Sequence, residues 1–145
     1  MEKNKSKTDR FRVLIVDDEL DVIVMLADLL GKVERYEVLR ALSGKDALLL
    51  LEKEEIDIIL LDICMPEMDG IEILDEIMKK NSRIAVVMVT IMDNVDVAIE
   101  AVKKGAWNYV VKPIRDEKRF LEILEKAELK RTVERIDEEL SRLAG

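Results

Sequence analysis

The sequence predicts an α/β fold: a doubly wound five-stranded parallel sheet with an extended C-terminal helix. Two patterns predict it. Five short segments, "FRVLIV", "EVLRAL", "IDIILLD", "RIAVVMVT" and "WNYVVK", are apolar along most of their length. Strands buried on both faces need that composition, whereas half-exposed strands alternate. Between the segments lie longer stretches whose apolar residues recur every three or four positions, as in a helix with one buried face. Regular alternation of the two implies parallel strands joined by right-handed helical crossovers, with helices on both faces of the sheet.

The elements follow in order. The first strand, residues 11–16, runs into Asp17 and Asp18. Residues 19–32 read as a helix, with Leu20, Ile23, Val24, Ala27 and Leu30 at helical spacing. "EVLRAL" is the second strand. Ser43 then stands as an N-cap, where its hydroxyl can accept an orphan N–H of the helix "GKDALLLLEKEE". "IDIILLD" is the third strand, and it ends on Asp62. "PEMDGIEILDEIMKK" supplies a loop and a third helix, with Ile71, Leu74, Ile77 and Met78 on one face. Gly70 serves the backbone between them. The fourth strand, 83–90, is rich in β-branched residues and ends in Thr90. Residues 93–105 read as a helix with Asp93 near its start and Gly105 as its C-terminal cap. The fifth strand, 107–112, opens on Trp107 and is stopped by Pro113.

From Asp116 the pattern is helical to the end, with no Pro and no Gly before Gly145. Leu129, Val133, Ile136, Leu140 and Leu143 are spaced 4, 3, 4 and 3, which makes a heptad seam. Upstream segments already supply the helices that cover the sheet. The seam is therefore expected to protrude and to pair with its equivalent in a two-fold dimer rather than fold back. The expected organisation is a disordered lead-in over 1–10, a domain over 11–126 and a helical extension over 127–145.

Composition excludes several classes. A chain of 145 residues fits one domain, and its formal charge of −8 argues against a nucleic-acid-binding face. No apolar run reaches the roughly 20 residues needed to span a bilayer. The N-terminus "MEKNKSKTDR" lacks the hydrophobic region of a secretory signal. A cytoplasmic protein without membrane contact is expected. The lone Cys64 has no partner for an internal disulfide and is read as a small buried hydrophobe. There is no histidine, so none can serve as metal ligand, base or phosphoryl carrier.

Chemistry gathers at the carboxyl ends of the strands, where ligands bind in open parallel sheets. Strand one ends in Asp17 and Asp18, strand three in Asp62, strand four in Thr90 and strand five in Lys112. Singly, each aspartate reads as a cap for the helix that follows. Together they put three carboxylates in one place, where they repel. A hard divalent cation such as Mg²⁺ resolves that conflict with oxygen ligands and retained waters. Lys112 and Thr90 add an ammonium and a hydroxyl suited to phosphate oxygens. A strand-end carboxylate so placed can act as a nucleophile and form an aspartyl phosphate.

The stretches "VLIVDDE", "DIILLDICMPEMDGIEIL", "VVMVT" and "GAWNYVVKP", in this order and spacing, resemble the receiver domain of two-component response regulators. The resemblance runs from about Arg12 to Glu125 and implies a flavodoxin-like sheet of strand order 2-1-3-4-5. It implies Asp62 as phosphoacceptor. Asp17, Asp18, Asp62 and the backbone carbonyl of Cys64 would hold Mg²⁺. Thr90 would be the switch hydroxyl, Lys112 the phosphate-binding lysine and Tyr109 the switch aromatic. The peptide Lys112-Pro113 would be cis. It further implies a sensor histidine kinase as phosphoryl donor, and a switch that catalyses its own phosphorylation and dephosphorylation without being a conventional enzyme. Its partner-binding face would be the fourth helix, fifth strand and last helix. One departure stands out: the residue after the switch threonine is usually small, and here it is Ile91. Ile91, Met92 and Cys64 are expected to rim the site with apolar groups.

Overall fold

The computed structural model describes residues 10–66, 69–91 and 95–145. The lead-in before Arg10, together with Met92 and Asp93, therefore lies outside the described residues. Five strands and five helices alternate: β1 (Phe11–Val16), α1 (Leu20–Leu30), β2 (Tyr36–Ala41), α2 (Gly44–Lys53), β3 (Ile58–Leu61), α3 (Gly70–Lys80), β4 (Ala85–Thr90), α4 (Val95–Lys103), β5 (Asn108–Val111) and α5 (Glu117–Ala144). The strands form one sheet of order β2-β1-β3-β4-β5, and every pairing is parallel. This is the predicted doubly wound, flavodoxin-like α/β fold.

The continuous apolar runs have the expected cause. β3 and β4 are buried at every residue. Alternate side chains feed two cores, one on each face. Leu14, Val16, Ile59, Leu61, Val86 and Met88 pack against the face carrying α2, α3 and α4. Val13, Ile15, Ile58, Leu60, Val87 and Val89 pack with Ile23 and Leu26 of α1 and with Phe120 and Leu124 of α5. β5 is a half-buried edge strand, and it is shorter at both ends than the apolar segment suggested.

Helix ends obey local chemistry. Ser43 accepts from the Asp46 N–H, Asp69 from Ile71 and Asp116 from Arg119. Gly105, beyond α4, has φ +111°, the left-handed backbone expected at a glycine cap. Lys112-Pro113 is cis, as the resemblance implied.

α5 is a single helix of 28 residues. Its inward stripe of Phe120, Leu124 and Ala127 is buried. Further along, Leu129, Val133, Ile136, Leu140 and Leu143 are all 55–75% exposed, so the seam does not fold back on its own domain. The opposite face of the extension stays against the domain through ion pairs, among them Arg131 and Arg135 with Asp57. The extension thus leaves the domain later than a freely protruding helix would. No described helix is long and apolar enough to cross a membrane.

Candidate functional site

The site is assembled by strand register. β1 and β3 are neighbours with Val16 opposite Leu61, so the next residues, Asp17 and Asp62, emerge side by side. The ladder continues one step into the site, since the Asp62 N–H donates to the Val16 carbonyl at 3.0 Å. On the other side of β3, Thr90 ends β4 opposite Val111 of β5, and the Lys112 N–H donates to the Thr90 carbonyl at 2.8 Å. A parallel sheet thus brings residues 17, 62, 90 and 112 to one edge.

The Lys112 ammonium is the hub. Its Nζ donates to Asp17 Oδ2 at 2.9 Å and lies 3.5 Å from Asp62 Oδ2 and 4.0 Å from Glu19 Oε1. The other oxygen of each carboxylate is held by backbone. Asp17 Oδ1 accepts from the Glu19 N–H at 2.9 Å, and Asp62 Oδ1 from the Cys64 N–H at 3.0 Å. Asp17, Asp62, Thr90 and Lys112 are all buried, with Thr90 at 0% and Lys112 at 9% exposure. Asp18 is exposed, yet one oxygen each from Asp17, Asp18 and Asp62 lie within 4.8 Å of one another.

Burial is the main influence on Asp62 and raises its pKa. The Cys64 N–H and the Lys112 charge oppose that rise and Asp17 adds to it, leaving a net rise. Burial also weighs against the charged form of Lys112. The hydrogen bond to Asp17 and the charge of Asp62 outweigh it and raise the lysine above its ordinary value. Lys112 therefore stays an ammonium while facing three acids. One positive charge among three carboxylates leaves an excess of two negative charges when all are ionised. Hard oxygen donors with that excess fit a divalent cation such as Mg²⁺.

The flanking residues are placed as follows. Tyr109 pairs with Met88, two rungs below the Thr90–Val111 pair, and packs half-buried on the same face of the sheet. Ile91 is 67% exposed directly beyond Thr90. Cys64 is exposed, which corrects its reading as a buried hydrophobe. The loop after β3 closes through a bridge between Cys64 and Asp69. Trp107 is exposed. The sequence reading missed Glu19, whose backbone orients Asp17 and whose carboxylate approaches Lys112. The acidic run Asp17-Asp18-Glu19 was the available signal. It also missed how closely Gly70 approaches the site backbone. A Cβ there would lie 2.4 Å from the Ile63 Cα.

Known proteins resemble this chain in sequence and in fold. The family model of the response regulator receiver domain matches residues 13–125. The chain is 38% identical over 116 residues to the chemotaxis protein CheY of Listeria monocytogenes, covering 80% of this chain and 97% of that one. It is 41% identical over 115 residues to the transcriptional regulatory protein ZraR of Salmonella typhimurium, covering 79% of this chain but only 26% of that protein. It therefore spans about a quarter of ZraR. Among solved structures, a CheY-like response regulator receiver domain protein from Methanospirillum hungatei superimposes with a TM-score of 0.80 at 28% identity, covering 86% of this chain and 98% of that one. NtrX from Brucella abortus does so with a TM-score of 0.82 at 28% identity, covering 91% of this chain and 30% of that one. With most of its length matched by the family and nearly all of CheY aligned to it, this chain belongs to the response regulator receiver domains.

Proposed function

We propose that this receiver domain is a signalling switch that takes a phosphoryl group onto Asp62 from a phosphohistidine of a sensor histidine kinase. One observation carries the reading. Asp62 is a buried carboxylate at the end of a central strand, flanked by two further aspartates and within 3.5 Å of an ammonium. A carboxylate oxygen of Asp62 attacks phosphorus, the phosphorus–nitrogen bond to histidine breaks, and the nitrogen leaves with the electron pair. In hydrolysis a water attacks the same phosphorus, releasing inorganic phosphate and restoring the carboxylate. Lys112 neutralises a developing phosphoryl oxygen and the Thr90 hydroxyl donates to another. Asp17, Asp18, Asp62 and the Cys64 carbonyl would hold Mg²⁺, which when bound neutralises charge on the transferring group.

The output is a change in binding. A phosphoryl oxygen draws Thr90 inward, and Tyr109, two rungs away on the same sheet face, follows. That couples the site to the face of α4, β5 and α5. The exposed seam of α5 pairs with a second copy in a two-fold dimer. The protein works in the cytoplasm as a switch, and direct nucleic-acid or membrane contact by this chain forms no part of its action.

The test is chemical. The protein is incubated with acetyl phosphate and Mg²⁺, reduced with borohydride, and the modified peptide mapped. Modification at Asp62, absent in Asp62→Asn, is the expected result. Modification elsewhere, or none, overturns the proposal.

A further inference from the structure

Beyond Ala127 the inward stripe of α5 changes chemistry. Continuing its spacing leads to Arg131, Glu134, Arg135 and Glu138, at the point where the helix passes the amino-terminal edge of the sheet. Asp57 waits there, one residue before β3, and is 7% exposed. Its Oδ1 accepts from Arg131 Nε at 2.8 Å. Its Oδ2 lies 2.9 Å from Arg135 Nη2 and accepts the Arg12 N–H at 2.9 Å. Arg135 also donates to the Arg10 carbonyl at 2.7 Å and stacks 4.5 Å above the Phe11 ring. From the loop before β4, Arg83 reaches Asp137 at 2.8 Å and the Glu134 carbonyl at 3.2 Å. Residues preceding β1, β3 and β4 thus grip one face of the helix.

Two arguments make this grip matter. Exposed ion pairs contribute little, but a buried carboxylate that loses its partners is strongly disfavoured. Asp57 and Arg131 are both nearly buried, so the helix cannot lift without stranding the acid. Further, a helical tail of about 15 residues is marginal in water by itself. Positions 131, 134, 135 and 138 lie about half a turn around the helix from the apolar seam, so the grip leaves the seam uncovered.

We propose that Asp57 is a positioning residue, the anchor of an ionic clamp that holds residues 131–138 of α5 against the amino-terminal edge of the sheet and so fixes where the outer seam points. The clamp acts within one chain and stands whether or not the seam pairs with a second copy.

The test uses the full chain carrying Ile136→Glu and Leu140→Glu, so that seam pairing cannot order the helix. Amide hydrogen exchange is followed residue by residue. With the clamp intact, amides of 131–138 are protected together with the adjoining part of α5. Asp57→Asn speeds their exchange about tenfold or more while β4 and α1 keep their protection. Arg131→Gln with Arg135→Gln does the same from the helix side, and it decides the matter if Asp57→Asn fails to fold. Arg142→Gln, which removes an exposed ion pair outside the clamp, changes nothing. Unchanged protection of 131–138 in the folded clamp variants overturns the proposal, as does fast exchange there with the clamp intact.

Discussion

Gly70→Ala is the sharpest small perturbation available at this site. The added Cβ would lie 2.4 Å from the Ile63 Cα, 2.7 Å from the Ile63 carbonyl oxygen and 2.8 Å from the Asp62 carbonyl oxygen. Ordinary contact begins near 3.4 Å, so the shortest approach is 1.0 Å too close. All three atoms are backbone, and no side-chain rotation relieves them. The hydrogen bond from the Gly70 N–H to the Ile63 carbonyl, 3.0 Å long, ties the same two segments together. The loop must therefore move bodily. Overpacking of this kind costs about 1–3 kcal/mol. The gain in helix propensity, at most about 1 kcal/mol, is smaller because Gly70 sits at the first helical position. A net loss of about 2 kcal/mol lowers Tm by about 6–8 °C for a domain of this size.

The functional effect follows from which residue moves. Ile63 lies between Asp62, the proposed nucleophile, and Cys64, whose N–H orients it. A displacement of about 1 Å at a reacting group can slow reaction by about a hundredfold. Gly70→Ala should therefore lower Tm in thermal denaturation and slow acetyl-phosphate labelling of Asp62 by about 10- to 100-fold. A variant that melts within about 1 °C of the parent and labels at the same rate refutes the reasoning.

Asp62→Asn should raise the Tm of the metal-free protein near neutral pH. The sign follows from the raised pKa of Asp62, which burial chiefly causes. A raised carboxyl contributes stability that is fully present below its unfolded pKa, about 3.9, and is lost as pH rises through the folded value. Melting curves of the two proteins in chelator should converge at acidic pH, and a variant no more stable than the parent at pH 7 counts against the argument. Ile136→Glu with Leu140→Glu should leave Asp62 labelling intact and yield a monomer by sedimentation velocity; a monomeric parent protein, phosphorylated or not, removes the dimer from the proposal. Ile91→Ala should speed both labelling and loss of the phosphoryl group, because an exposed apolar side chain beside Thr90 offers nothing to orient water or donor. An unchanged half-life of the phosphorylated variant contradicts that.

The fold was legible because its central strands are buried on both faces, and apolar continuity is a local signal. "IIL" of β3 and "AVVMV" of β4 could hardly read otherwise. The cap at Ser43 was equally local, since its hydroxyl meets an N–H three residues on. The site was legible for a different reason: parallel register carries every strand end to one edge, so order along the chain predicts proximity. What stayed hidden was long-range and specific. Nothing near Asp57 in the chain announces Arg131 and Arg135, more than 70 residues away. Ion pairs have no period. Gly70 looked like a loop glycine because its constraint, the Ile63 backbone, comes from a fold-back that no spacing encodes.

The two ends of β3 show why the same residue type means different things. Each end carries a buried aspartate. Asp57 faces two guanidiniums and a backbone N–H, so its carboxylate has its partners around it. Asp62 has one backbone N–H and a 3.5 Å contact with an ammonium that also serves Asp17, with Asp18 close by. The first arrangement is closed, and no further cation is needed there. The second is open by two charges when all are ionised, and burial keeps water from screening those of Asp17 and Asp62. A buried acid with its partners present holds structure. A buried acid short of partners is poised to receive something, and at this edge of the sheet the missing charge fits a divalent cation beside the carboxylate proposed to carry the phosphoryl group.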